Sequence, residues 1–174
     1  ESELGKGSVF TFEVELAHLP KSIANTCKRD SKLSSLNILL VDGDQEAREQ
    51  FRAMASHFCG CIDEAHSAHA AFLKISSACA AGKPYDLIFT EFCLPDMNAI
   101  ELTRKLGSKV DKNSFVIMTS FMQWHKVDHE ALDEGLHRFV PKPLFPSAIF
   151  DAINEFASTE SEVSNKPAWS EQEV

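Results

Sequence analysis

The sequence predicts an α/β domain built on a doubly wound, five-stranded parallel sheet with helices on both faces. Between about residues 36 and 157, short apolar runs alternate with stretches in which apolar residues recur at helical spacing. Glycine, proline and polar residues separate these units. Strands that alternate with helices favour a parallel sheet whose crossovers are right-handed.

The first strand is predicted at Leu36–Asp42, because a nearly continuous apolar run is typical of a strand covered on both faces. Asp44 is a candidate N-cap for the helix that follows. Apolar residues of that helix recur at helical spacing: Ala47, Phe51, Met54 and Phe58. A short second strand at Cys61–Ala65 precedes a second helix at Ala68–Ala80, which Gly82-Lys-Pro84 ends.

The third strand, Asp86–Glu91, leads into a loop marked by Pro95 and places a carboxylate at its carboxyl end. The remaining elements alternate in the same way and are bounded by glycine or proline. In chain order they are helix Asn98–Leu106 with Gly107 as its stop, strand Ser114–Thr119, helix Trp124–Asp133 closed by Gly135, strand Leu136–Val140 and helix Pro146–Ala157.

Four zones are predicted along the chain. Residues 1–19 contain strict apolar/polar alternation after Gly5 and Gly7, which predicts a strand with one buried face. That strand is too short to fold alone, so we expect it to be the remnant of another domain and the chain to be a piece of a longer protein. Residues 20–35 are a predicted linker, 36–157 the α/β domain, and 158–174 an acidic tail or linker.

Charge and composition exclude several function classes. A net charge of −9 argues against nucleic-acid binding and favours protein partners. No apolar run approaches the roughly 20 residues of a membrane-spanning helix, so we expect no direct membrane contact. The five irregularly spaced cysteines predict no disulfide framework and fit a reducing compartment: Cys27, Cys59, Cys61, Cys79 and Cys93.

Two groups of potential metal ligands are present, and neither predicts a site. One lacks a paired CxxC module and is better explained by core and surface positions: His57, Cys59, Cys61 and His66. His125 and His129 stand four residues apart on a predicted helix, but no third ligand is near in sequence. A solvated histidine pair is the favoured interpretation.

The carboxyl ends of the predicted strands bring chemistry-bearing residues to one crevice. These residues are Asp42, Glu91, Thr119 and Lys142. Carboxylates hold Mg²⁺, a hydroxyl and an ammonium bind phosphoryl oxygens, and a carboxylate can attack phosphorus. The pattern therefore favours a site for a phosphoryl group and a divalent cation.

Residues of about 36 to 157 resemble the receiver domain of two-component signalling, which has a flavodoxin-like fold. The resemblance rests on the joint order of several segments: Ile38–Asp42, Tyr85–Met97, Thr119-Ser120 and Gly135–Pro143. It implies that Glu91 stands at the phosphoacceptor position and Asp42 in the acidic pocket. Thr119 and Phe139 correspond to the switch hydroxyl and switch aromatic, and Lys142 to the phosphoryl-binding lysine.

Two departures from that pattern predict a receiver that is not phosphorylated. Gly43 replaces the second acid of the family's pair. Asp44 is a further candidate for the acidic pocket, although a capping role suits it better. Mg²⁺ binding is therefore expected to be weak or absent, with Asp42, Glu91 and the Cys93 backbone as remaining ligands. Glu91 carries one methylene more than aspartate, which shifts its oxygen by about 1 Å and costs on the order of a hundredfold in rate. No active catalytic residue is expected in this fragment.

The segment Leu4–Phe12 resembles the last glycine box and closing strand of the ATP-binding domain of histidine kinases. Followed by a receiver, it implies a hybrid sensor histidine kinase, and we assign no ATP binding to the fragment. Expected partners are the kinase core, a later receiver or a histidine phosphotransfer domain. The resemblance also implies a cytoplasmic domain of a membrane-bound sensor kinase without a cofactor in this fragment.

Three alternatives concern function. The domain could be a working phosphoacceptor that uses Glu91, or a small-ligand sensor, although no sequence feature marks a ligand pocket. An unrelated flavodoxin-like enzyme is excluded because no glycine-rich phosphate loop follows the first strand.

Two roles are open for Glu91. Its carboxylate could imitate a phosphorylated acceptor, or it could only form an ion pair with Lys142, and the ion pair is favoured. Phe121 and Trp124 follow Thr119 in a region that receivers commonly use for partners. The resemblance implies an interface there if these aromatics are exposed, and a place in the core if they are buried.

Overall fold

A five-stranded, wholly parallel sheet forms the centre of the protein. The computed structural model describes residues 2–3, 7–8, 10–14, 33–56, 58–120 and 130–163. In these residues each neighbouring pair of strands is parallel, and from one edge of the sheet to the other the strands are Cys61–Ala65, Asn37–Val41, Leu87–Glu91, Phe115–Ser120 and Phe139–Lys142. Its strands are β3 (Asn37–Val41), β4 (Cys61–Ala65), β5 (Leu87–Glu91), β6 (Phe115–Ser120) and β7 (Phe139–Lys142). The predicted fold class is confirmed.

Four helices connect or follow the strands, and further short helical turns complete the described part of the domain. The helices are α1 (Gln45–Ala55), α2 (Ala68–Ala80), α3 (Ala99–Leu106) and α4 (Pro146–Val163). A helical turn at 130–133 is the described end of the helix predicted from Trp124, whose earlier residues lie outside the described ranges. The 3-10 turns are Leu33–Ser35, Gly107–Lys109 and Lys112–Ser114.

The core has one layer on each face of the sheet. Successive strand residues point to opposite faces, so Leu39 and Val41 join one layer while Ile38 and Leu40 join the other. Helices α2 and α3 cover the first layer, and α1 and α4 cover the second. Coverage of both faces explains why these strands read as continuous apolar runs.

Capping residues set the helix boundaries close to their predicted positions. The Asp44 side chain accepts a hydrogen bond from the Glu46 N–H, which confirms the predicted N-cap of α1. Gly135, at a φ of 79°, ends the turn at 130–133. The N–H of Leu136 donates to the carbonyl of Ala131 at 2.9 Å, in the pattern that often follows a left-handed glycine.

Three predicted boundaries are wrong by several residues. Strand β7 begins at Phe139 instead of Leu136, because Leu136 is held in the preceding helix cap and is buried there. Leu33, placed in the predicted linker, is 4% exposed and packs into the α1/α4 layer of the core. Helix α4 continues to Val163, six residues past its predicted end at Ala157, so the predicted tail begins as helix.

The amino-terminal segment differs from its predicted form. Strand β1 (Ser2–Glu3) pairs antiparallel with β2 (Gly7–Ser8), and residues 10–14 lie in no strand. Phe10, Phe12 and Val14 are exposed. The predicted strand with a buried face is absent at residues 10–14, because no strand among the described residues pairs with them.

Several predictions fall on residues that the structure does not describe. They concern Cys27, His57, Phe121, Trp124, His125 and His129, most of the predicted linker and the end of the tail. None of the helices in the described ranges is long and apolar enough to cross a membrane.

Candidate functional site

Lys142 joins two carboxylates at the carboxyl edge of the sheet. Its Nζ lies 2.9 Å from Oδ2 of Asp42 and 2.9 Å from Oε1 of Glu91. Asp42 directly follows β3, Glu91 ends β5 and Lys142 ends β7. Since β6 lies between β5 and β7, the long lysine side chain spans a neighbouring strand to reach both acids. The structure thus brings together three of the residues that the sequence assigned to one crevice.

Asp42 is the most constrained member of this group. It is 1% exposed, and its two carboxylate oxygens have different donors. Oδ1 accepts from the Asp44 N–H at 2.9 Å, while Oδ2 accepts from Lys142. The Asp42 carbonyl accepts from the Arg48 guanidinium at 2.8 Å. The N–H of Asp44 and the Lys142 ammonium thus replace hydrogen bonds to water that burial removes from this carboxylate.

Glu91 and Lys142 respond differently to the same surroundings. Burial raises the pKa of Glu91 above the ordinary glutamate value, the Lys142 ammonium opposes the rise, and the nearby Asp42 carboxylate adds to it. Burial alone would lower the pKa of Lys142, but its hydrogen bonds to Asp42 and Glu91 outweigh burial and raise that pKa. One ammonium is shared by two carboxylates. The surroundings therefore disfavour the charged form of Glu91 and favour the charged form of Lys142.

Replacing Glu91 by glutamine is expected to stabilise the domain more at neutral pH than at pH 4. The pKa of Glu91 is higher in the folded chain than its ordinary value of 4.5. Its contribution to stability is therefore greatest below that value and is lost as the pH rises through the native pKa. Glutamine does not titrate. Urea denaturation of both proteins at several pH values between 4 and 7 should show that the difference in free energy of unfolding between Glu91→Gln and the wild type grows as the pH rises. A difference that shrinks with rising pH would contradict a raised pKa of Glu91.

Thr119 lies on β6 and Phe139 on β7, and both contact residues outside the group of Asp42, Glu91 and Lys142. Thr119 is buried near the end of β6, and its hydroxyl donates to the Ser120 carbonyl at 3.4 Å. Glu91 is in register with Met118, so Thr119 follows one residue farther along the neighbouring strand. Phe139 begins β7 and packs, partly buried, against the α2/α3 layer of the core. Its position fits both a core aromatic and a switch residue.

The residues of the crevice do not fit a divalent cation in this arrangement. Asp42 and Glu91 both accept from Lys142, so the ammonium already occupies an oxygen of each carboxylate and balances one of their two negative charges. Gly43 offers no side chain, and the Asp44 carboxylate caps α1. The Cys93 backbone forms a bridge with Asn98. Within the described ranges, no three His, Cys, Asp or Glu side chains are grouped to hold a metal ion. The expectation of weak magnesium binding stays a prediction.

The loop between β5 and α3 is tied to its surroundings on both sides of Pro95. Leu94 is buried. The Asp96 carboxylate accepts from the N–H groups of Ala68 and His69 at 2.9 and 2.8 Å, which are the first two residues of α2. Burial opposes these bonds, but they lower the pKa of Asp96 below its ordinary value. Asp96 thereby fixes a loop of the site to a helix N-terminus.

Replacing Asp96 by alanine is expected to lower the free energy of unfolding by about 1 kcal/mol, because two N–H groups at the start of α2 lose their acceptor. Asp151→Ala, on an exposed position of α4, is the control and should change stability by less than about 0.5 kcal/mol. The native pKa is lowered, so the Asp96 contribution is present above its ordinary value of 3.8 and is lost as the pH falls through the native value. Urea denaturation at pH 7 measures both variants, and equal losses would contradict the capping role.

Three residues of the site were not identified from the sequence. Arg48 binds the Asp42 carbonyl, Pro95 packs against Gly43, and Asp96 caps a helix that precedes it in the chain. The signal for Asp96 was its place in the segment that resembles the phosphoacceptor loop, but that resemblance did not indicate its partner.

The two cysteines of the possible metal group His57, Cys59, Cys61 and His66 lie in different environments. Cys59 is buried, which raises its pKa to about 11, and Cys61 is exposed.

Comparison with known proteins gives the same family over most of the chain. The response regulator receiver domain matches residues 38–154. A solved receiver domain protein from Clostridium thermocellum has a TM-score of 0.65 at 16% identity, covering 74% of this chain and 98% of that one. At that identity the likeness supports the fold alone.

The relatives include a sensor protein and a histidine kinase that are much longer than this chain. The aerobic respiration control sensor protein ArcB of Escherichia coli K12 is 26% identical over 165 residues, 92% of this chain and 20% of ArcB. Hybrid signal transduction histidine kinase L of Dictyostelium discoideum is 27% identical over 124 residues, 68% of this chain and 7% of that protein. The chain thus spans a fifth or less of the length of these relatives. By its sequence match and its fold, the chain belongs to the response regulator receiver family of two-component signalling.

Proposed function

We propose that this receiver domain regulates a hybrid sensor histidine kinase through protein contacts without accepting phosphate itself. Receiver domains are in general non-catalytic regulatory domains that act on protein partners in a phosphorelay. Here the domain positions or restrains the kinase core, or a later receiver or phosphotransfer domain. It works as a fixed element, because Lys142 already occupies both carboxylates of its crevice.

The observation that carries this proposal is the double contact of Lys142. The lysine that the family resemblance assigns to phosphoryl oxygens is held 2.9 Å from both Asp42 and Glu91. Phosphoryl transfer depends on an accurately placed acceptor and on neutralisation of phosphate charge. Glu91 is an extended acceptor whose Oε1 already accepts a hydrogen bond from Lys142.

The length of the alignment with ArcB supports the proposal that this domain is part of a hybrid kinase. The match to ArcB covers 92% of the chain, more than the receiver region of residues 38–154 spans. It therefore extends into segments that flank the receiver. The glycine-containing segment before the linker resembles the end of a kinase ATP-binding domain, which agrees with such an arrangement. A cytoplasmic position in a membrane-bound parent is part of the same proposal.

Treatment with a small phosphodonor and Mg²⁺, followed by intact-mass measurement, tests the absence of phosphorylation. We expect no phosphate adduct on the wild-type domain. Glu91→Gln is the matched control for adducts at other residues, and an ordinary receiver with both acids is the positive control. A base-labile adduct on the wild type that is missing from Glu91→Gln would establish Glu91 as a working phosphoacceptor.

A measurement of kinase output distinguishes two roles of Glu91. Its charge either acts as a permanent signal or only forms a structural ion pair with Lys142. Glu91→Asp and Glu91→Gln are compared with the wild type in the full-length protein. If Glu91 only joins two strand ends, Glu91→Asp retains normal output and Glu91→Gln changes mainly stability. Loss of output in Glu91→Gln, in a protein that remains folded, would show that the charge at position 91 carries the signal.

A further inference from the structure

Arg48 connects the buried acid of the crevice to the edge strand of the sheet. Its Nη1 donates to the Asp42 carbonyl at 2.8 Å, and its Nε donates to Oε2 of Glu64 at 3.3 Å. Glu64 lies on β4, at one edge of the sheet, while Arg48 itself belongs to helix α1. Only 14% of the Arg48 side chain is exposed. One largely buried guanidinium therefore holds a helix, an edge strand and the end of β3 together.

The contact with the carbonyl restricts the backbone conformation of Asp42. Asp42 lies just beyond β3, where the chain leaves the sheet. Its N–H donates to the Ala65 carbonyl at 3.1 Å, which fixes the peptide plane before its Cα. Arg48 fixes the peptide plane after that Cα. Since the two planes determine φ and ψ, they also determine the direction in which the Asp42 side chain leaves the backbone.

That direction matters because Lys142 reaches Asp42 from a distant strand. Lys142 ends β7, and strands β5 and β6 lie between it and the strand that precedes Asp42. Its Nζ lies 2.9 Å from Oδ2 of Asp42. Such hydrogen bonds span about 2.7–3.2 Å, so displacing the carboxylate by about 1 Å would break the contact. The pairing of the crevice lysine thus depends on where Asp42 is held.

Arginine suits position 48 by its shape as well as by its charge. The Nη1 and Nε donors of one planar guanidinium point at acceptors on two different elements. A lysine would keep the positive charge, but its ammonium lacks the rigid fork of donors that holds two partners in fixed directions. The substitution Arg48→Lys therefore separates the geometry of these contacts from the charge.

We infer that Arg48 is a positioning residue: by binding the Asp42 carbonyl and Glu64 together, it holds the Asp42 carboxylate where Lys142 can pair with it. The inference rests on the proposed function for its regulatory meaning, because the pairing of Lys142 is what keeps the crevice occupied. It extends the site from three residues at the carboxyl edge of the sheet to a support on helix α1 and the edge strand.

A double-mutant cycle in melting temperature tests this role. Lys142→Met is introduced into the wild type and into Arg48→Lys. In the Arg48→Lys background the loss caused by Lys142→Met should be smaller by roughly 4 °C, because Asp42 is already displaced from the lysine. Arg52→Lys is the control background, since Arg52 also pairs with Glu64 but no hydrogen bond or ion pair joins it to Asp42 among the described residues. There the loss should match the wild-type loss within about 2 °C.

Titration of the Lys142 amine, followed by nuclear magnetic resonance, provides a measurement that a general loss of stability does not mimic. Burial acts to lower the pKa of Lys142, and its hydrogen bonds to Asp42 and Glu91 more than offset that effect. Arg48→Lys keeps the charge and displaces Asp42, so the pKa of Lys142 should be lower in this variant than in the wild type. Arg52→Lys should leave that pKa unchanged.

Two results would overturn the inference. One is a loss from Lys142→Met that is as large in Arg48→Lys as in the wild type, or larger. The other is a pKa of Lys142 that Arg48→Lys leaves unchanged. Phosphate uptake by the wild type would overturn the proposed function and leave both measurements unaffected.

Discussion

Replacing Lys142 by methionine is expected to lower the free energy of unfolding at pH 7 by about 3 kcal/mol. Methionine retains an apolar stem of similar length but removes the ammonium that serves Asp42 and Glu91. Asp42 is 1% exposed, so its carboxylate would remain buried without its charged partner. Losing one member of a buried pair costs about 3–5 kcal/mol, and the partial exposure of Lys142 favours the lower end of that range. Urea denaturation provides the measurement.

The matched control is Lys112→Met, which removes another lysine paired with a glutamate. Lys112 lies 3.5 Å from Glu134 with 41% of its side chain exposed, and an exposed pair of this kind contributes little to stability. The folded chain raises the pKa of Lys142, so its contribution is present below the ordinary value of 10.5 and is lost as the pH rises through the native value. Equal losses for the two variants would show that the crevice lysine does not compensate a buried charge.

The elements predicted most accurately are those whose signals are local. Helix α2 lies at Ala68–Ala80 and strand β4 at Cys61–Ala65, both as predicted. Their bounds are predictable because caps, glycines and hydrophobic periodicity lie within the segments themselves or a few residues away. The start of β7 was misplaced because Leu136 is apolar for a different reason. It is buried by the cap of the preceding helix, and apolar character alone does not distinguish such a contact from a strand.

The site was predictable as far as topology determines it. Parallel strands bring their carboxyl ends to one edge, so Asp42, Glu91 and Lys142 could be grouped without knowledge of any distance. The closing contacts could not be predicted in this way. Asp96 binds N–H groups about 28 residues earlier in the chain, and Pro95 meets a glycine on another loop. Such contacts depend on how loops pack across the sheet, which no local pattern specifies.

A second large effect is expected from Phe89, which connects the strand of Glu91 to the first helix. Phe89→Ala should lower the free energy of unfolding by about 3–5 kcal/mol, because the side chain is fully buried and a cavity would remain. Its ring lies 4.9 Å from the ring of Phe51 on α1, at a tilt of 59°. A domain of this kind has a total stability of about 5–15 kcal/mol, so the variant retains only a small margin. Urea denaturation measures the loss.

Phe145→Ala separates the loss of packing from the loss of an aromatic ring as such. Phe145 is 61% exposed, and its replacement should change stability by less than about 0.5 kcal/mol.

A double variant tests the contact between the two rings. Phe51→Ala combined with Phe89→Ala should lower the free energy of unfolding by less than the sum of the single variants, since the two rings face the same space. Strict additivity would mean that the rings stabilise the fold independently. Coupling would mean that helix α1, which begins beside Asp42, is fixed to strand β5, which ends at Glu91, by the same contact that supports the core.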